Sequence, residues 1–167
     1  MTSPAVMNGK VRISDMPTDA SFEPYKTQAT ITDVQVLDNQ EDGSTPIDFH
    51  FSYVNNRNEP KSLKKRIYFN PNTFTPEFID SIKIYKDAEK RLRAAKVDKV
   101  ARKAEIGEQG WRDLWYYNFN VEQFLLPLFK KAGLEDAEFT SLVGVSTTVQ
   151  IAADKKGYPT VARTYSR

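Results

Sequence analysis

Cysteine is absent from this 167-residue chain. That excludes disulfides, cysteine-ligated zinc, iron–sulfur clusters and thiolate catalysis. Histidine occurs once, at His50, so multi-histidine metal sites are excluded and any Ser-His-Asp arrangement has to run through that residue. No apolar run approaches the roughly 18 residues a membrane span requires, and Met1 to Gly9 lacks the apolar core of a signal peptide. Neither GxxxxGK[ST] nor GxGxxG occurs, so no glycine loop of the phosphate-cradling kind is present. A dominant charge is missing too, the formal balance being +2. These absences lead us to expect a soluble intracellular protein, not an enzyme, with no cofactor, no metal and no membrane partner.

Hydrophobic residues make up 40% of the chain and aromatics 12%, enough for a real core in a single domain. Residues 1–23 read as an N-terminal arm, unpatterned apart from Lys10–Ile13, which fits a short edge strand. The pattern changes over 24–167. Tyr25, Ala29 and Ile31 share one period-2 face, then the apolar phase slips to Val34 and Val36. A one-residue slip marks either a β-bulge in one long strand or two short strands. Asp38 to Ser44 reads as a solvated hairpin loop, without the ligand spacing of an EF-hand. Ile47, Phe49, Phe51 and Tyr53 alternate with Asp48, His50 and Ser52 in a second strand. A third carries Leu63, Lys65, Ile67 and Phe69 on one face and Lys64, Arg66 and Tyr68 on the other.

Residues 76–105 read as one helix, capped by Thr75 with Pro76 at its first position. Trp111 to Phe119 is the densest aromatic patch. A second helical stretch carries Val121, Phe124, Leu125, Leu128 and Phe129, with Asn120 as a cap, Pro127 as a kink or break and Gly133 as the stop. Two strands close the chain, one through Val143, Val145, Val149 and Ile151 and one over Tyr158–Tyr165, joined by a turn at Asp154–Gly157.

Three strands, a helical insertion at about 76–140 and two more strands match a mainly β, five-stranded OB-fold Greek-key barrel with its helices between strands 3 and 4. Fold alone assigns no function. The outward residues supply the candidate: Lys64, Arg66 and Tyr68 on the third strand beside His50 on the second. Cations that track phosphates, next to rings that stack on bases, are what a single-stranded nucleic acid requires. Charge segregation agrees. Residues 61–103 hold 13 Lys or Arg against 5 Asp or Glu, a local +8 that leaves −6 for the remainder. Lys61, Lys64, Lys65 and Arg66 form the cluster on the presumed binding strand, and Trp111, Tyr116 and Tyr117 are the candidates for extending a stacking platform. Lys86 to Glu105 reads as a solvated helix with internal ion pairs.

The layout resembles the small OB-fold single-stranded-DNA-binding proteins of bacteriophages. Tyr25–Leu37 resembles the opening strand, Ile47–Tyr53 and Leu63–Asn70 the central pair, and Phe124–Gly133 the helix before a loop. Ser141–Ile151 and Tyr158–Tyr165 resemble the returning strands. The resemblance covers residues 25–165. It implies a protein that coats single-stranded DNA during phage replication and recombination, in the cytoplasm of an infected bacterial cell, with replication or recombination proteins as further partners. Many members end in an acidic, partner-recruiting tail. This chain ends Arg163-Thr164-Tyr165-Ser166-Arg167, so we expect no such recruitment and consider contact of this basic end with nucleic acid. RNA binding fits the same residues as DNA. The competing reading is a non-enzymatic phage structural or protein-interaction domain on a small β-barrel. An enzyme would need carboxylates gathered about a metal, and Glu105, Glu108 and Asp113 sit in no recognisable motif.

Overall fold

The computed structural model describes residues 23–167. The arm at 1–22, with the expected strand at Lys10–Ile13, lies outside the described residues.

Five strands form one antiparallel sheet that curls on itself. In chain order they are β1 (Tyr25–Val36), β2 (Thr45–Val54), β3 (Pro60–Phe69), β4 (Ser146–Ala153) and β5 (Pro159–Thr164). Their order in the sheet is β3-β2-β1-β4-β5. β1 is a single long strand. Its phase slip is a bulge at Thr32, where Ile31 pairs with Phe51 and Asp33 already pairs with His50. The extra residue turns Val34 back to the core face and bends the strand. One end of β1 therefore pairs with β4 and the other with β2. The two end strands, β3 and β5, come together without a hydrogen-bonded ladder.

The inward side chains are those that alternation selects. Ile47, Phe49, Phe51 and Tyr53 of β2 are buried with Ala29, Ile31, Ile67, Val149, Ile151 and Val161. Phe49 meets Phe124 edge-on at 5.1 Å between ring centroids, and Phe51 meets it at 6.1 Å. Such edge-to-face pairs add about 0.5–1.5 kcal/mol each beyond their buried area.

Among the described residues, all the helical elements lie in the chain between β3 and β4. The segment expected as one helix is two, α1 (Pro76–Ala94) and α2 (Lys99–Ile106). Thr75 Oγ1 accepts from the Phe78 amide to cap α1. Lys96 then adopts a φ of 59°, which ends α1, and Asp98 caps α2 by accepting from the Ala101 amide at 2.9 Å. Gly107, at φ 93°, makes the turn into α3 (Glu108–Tyr116). The chain then stays helical. Tyr117–Leu125 widens into a π-helix and α4 (Leu126–Ala132) follows, with Pro127 in its first turn. Asn120 thus lies inside a helix and is not a cap. Gly133 ends α4 in the left-handed conformation, as expected. A 3-10 turn at Phe139–Leu142 leads to β4, and Val143, expected in that strand, precedes it.

Two buried groups result. One fills the curl of the sheet and is completed by Phe124, Leu125, Leu128 and Phe129. The other buries Ile82 and Leu92 of α1 and Trp111 and Leu114 of α3. Gly110 lets these helices meet closely, since a Cβ there would lie 2.7 Å from the Tyr85 ring. No helix among the described residues is long and apolar enough to cross a membrane.

Candidate nucleic-acid interface

Antiparallel register turns the outward face of the sheet into rows of side chains. Tyr68 pairs with Pro46, Arg66 with Asp48, Lys64 with His50 and Ser62 with Ser52 across β3 and β2. Asp48 continues to Gln35 on β1, and His50 to Asp33. Tyr68 is 48% exposed, so its ring is available for stacking beside the exposed Lys64. His50 is half-buried, and its Nε2 is shielded from solvent without a hydrogen-bond partner among the described residues. Lys61 is exposed beside the β2–β3 turn, but it pairs with buried Tyr53 and so does not belong to the outward row.

Arg66 differs from the free cation that the sequence implied. Its Nε donates to Asp48 Oδ1 at 2.6 Å and its second guanidinium nitrogen to Oδ2 at 2.9 Å. Lys64 Nζ stands 3.7 Å from the same carboxylate. Asp48 points away from the core yet is only 3% exposed, and a buried carboxylate needs such partners. The hydrogen bonds from Arg66 hold its carboxyl below the usual range, and the same pairing, with Tyr68 next, raises the Arg66 pKa. This bidentate pair fixes the guanidinium and cancels most of its charge.

Lys65 is not on this face. Alternation turns it inward, where Nζ donates to the Val161 carbonyl of β5 at 2.6 Å and lies 4.9 Å from the centre of the Phe124 ring. Burial pushes its pKa down to about 8. Lys65 thus bridges the seam between β3 and β5, which no ladder closes, and makes no part of an outward phosphate site.

The aromatic candidates divide similarly. Trp111 is 8% exposed and packs edge-on against Trp115 at 5.3 Å, so it belongs to the helical core. Tyr116 is a structural tie. Its Oη accepts from the Asn70 amide at 3.0 Å and shares a hydrogen bond with Thr73 Oγ1 at 2.7 Å. Those contacts pin α3 to the end of β3, and burial raises the phenol's pKa. Tyr117 is half-buried under Lys86, whose Nζ lies 5.1 Å from its ring centre. The ring that reaches solvent is Phe119, 49% exposed and stacked on Trp115 at 5.2 Å. Its i, i+4 spacing from Trp115 was the readable signal.

The carboxylates at Glu105, Glu108 and Asp113 are engaged separately, with Arg91, Arg112 and Gln109. Sequence reasoning passed over Lys26 on β1, which faces outward and lies 4.5 Å from the ring centre of Tyr165. Its place in the alternation of β1 was the available signal.

Compared with protein-family models and with curated proteins, the chain matches none.

Proposed function

We propose that this protein binds single-stranded nucleic acid, in the first place DNA, without sequence preference and without catalysing a reaction, on an OB-type barrel. The observation that carries this reading is the outward row of β3, where exposed Tyr68 stands two residues from a fixed Arg66 and four from exposed Lys64. Lys64 serves phosphates, and Tyr68 serves a base. Arg66, fixed by Asp48, offers its plane beside Tyr68, since bases stack on guanidinium planes as they do on rings. The curled sheet supports the barrel: β1 pairs on both sides, and Lys65 links the strands at the two ends of the order. The setting implied by the resemblance, phage replication or recombination in the host cytoplasm, belongs to the same proposal.

A second reading, a protein-interaction domain, draws on one feature. An apolar cleft of about 520 Å³ lies between Phe74, Leu126, Phe129 and Leu134 on the helical side.

Anisotropy of a labelled oligo-dT, and of the matching duplex, separates the two readings. We expect saturable, salt-sensitive binding, tighter to the single strand, and a loss of about 1–3 kcal/mol in Tyr68→Ala. Equal, feeble binding to both nucleic acids would favour the interaction domain. Unchanged affinity in a folded Tyr68→Ala protein would remove that ring from the site.

A further inference from the structure

The outward face of the sheet continues past the β2–β3 rows. Next to Ser62 and Ser52 come Thr30 of β1 and Ser146 of β4, whose hydroxyls are 2.6 Å apart. Beyond them Gln28 donates to Thr148 Oγ1 at 2.9 Å. The following row is Lys26, Gln150 and Arg163, on β1, β4 and β5. The path between the two cationic regions is thus uncharged and rich in hydrogen-bonding side chains.

At the far end of this path Lys26 Nζ lies 4.5 Å and Arg163 Cζ 5.7 Å from the centre of one ring, Tyr165. That residue is held in place. Its amide donates to the Thr148 carbonyl at 3.0 Å, and its carbonyl accepts from Thr147 Oγ1. Neither Lys26 nor Arg163 forms an ion pair among the described residues, whereas Arg66 is neutralised by Asp48. Two like charges drawn to one ring without an acid between them repel each other. An anion at that point would relieve the repulsion.

We propose that Lys26 and Arg163, held about Tyr165, form a second phosphate-binding station, so that a single strand crosses the outward face from Tyr68 and Lys64 over the Ser/Thr/Gln rows to the β1–β4–β5 edge. The inference rests on the reading of this face as a single-strand binder and extends its footprint. The alternation of β1 and β5 makes Lys26 and Arg163 outward residues. Only the pairing of both strands with β4 makes them neighbours.

The test is a length series of labelled oligo-dT, titrated at several salt concentrations, with the full chain and a Lys26→Ala/Arg163→Ala variant. For long oligomers the variant should lose about 1.4 from the log–log salt slope, at roughly 0.7 per phosphate contact, and its site size should shorten. Its affinity for oligomers too short to leave the Tyr68–Lys64 rows should stay at the wild-type value. The Lys26→Arg/Arg163→Lys variant keeps both charges and should retain the wild-type slope, which separates charge loss from misfolding. Wild-type slope and site size in the alanine variant would overturn the second station while leaving the Tyr68 face standing. Absence of single-strand binding by the wild-type protein would overturn both.

Discussion

The sheet and the helical insertion both carry many cations, and they hold them in different ways. In the helices several cations are matched, whereas Lys83, Lys90, Lys99 and Lys103 have no acid within 4.0 Å among the described residues. Lys86 pairs with Glu122, Arg91 with Glu105, and Arg93 and Arg102 both with Glu89. On the outward face of the sheet Lys26 and Arg163 have no acidic partner within 4.0 Å among the described residues, and Asp48 is the single carboxylate serving both Lys64 and Arg66. The difference teaches that a count of charges along the chain is a poor map of a binding face. The local excess over residues 61–103 is real, yet Lys86, Arg91, Arg93 and Arg102 within it are engaged in ion pairs of the helices. What a polyanion senses is the charge left unmatched on one surface.

The comparison extends to stability, and the largest effect should come from the sheet core. Phe124→Ala removes the ring on which Phe49 and Phe51 converge. We expect a loss of about 3–5 kcal/mol in urea unfolding. Arg93→Ala in the insertion breaks one i, i+4 pair while Arg102 still holds Glu89, and should cost under about 1 kcal/mol. Equal costs would mean that the two regions are not built as differently as their packing indicates.

A smaller effect lies at the seam. Lys65 is depressed to about 8 from an ordinary 10.5. Between those values the unfolded chain binds the proton more readily than the folded one, so stability should rise as pH increases through this window. The full swing is up to about 3 kcal/mol. Tyr116, raised above its ordinary 10.0, acts in the opposite sense at the upper end, because the unfolded phenol ionises first. Lys65→Met should flatten the rise between pH 8 and 10. A melting-temperature profile that keeps the rise in the variant would remove Lys65 as its source.

The strands were legible because alternation is a direct consequence of the pleat, and even the bulge at Thr32 left its mark as a phase slip. The same alternation placed Lys64, Arg66 and Tyr68 outward and Lys65 inward. Counting Lys61 and Lys65 as phosphate contacts followed the run of basic residues and ignored the face. The break at Lys96 was not legible, since a lysine at positive φ has no propensity signal. Nor was the π-helix, which keeps apolar residues at spacings close to those of an α-helix. Pairings between strands were beyond reach for a different reason. Asp48 with Arg66, or Lys26 near Arg163, depends on register, and register is set by the whole sheet.

The claim that unmatched charge on the sheet, and not total charge, makes the interface is tested most directly by two salt slopes. Lys26→Ala/Lys64→Ala and Arg91→Ala/Arg93→Ala each remove two cations, one pair from the outward face of the sheet and the other from α1. Titrated with oligo-dT over a range of salt, the sheet variant should lose up to about 1.4 from the wild-type log–log slope, and the α1 variant should keep it. A slope that falls in the α1 variant and stays constant in the sheet variant would contradict the account and place the interface on the helices.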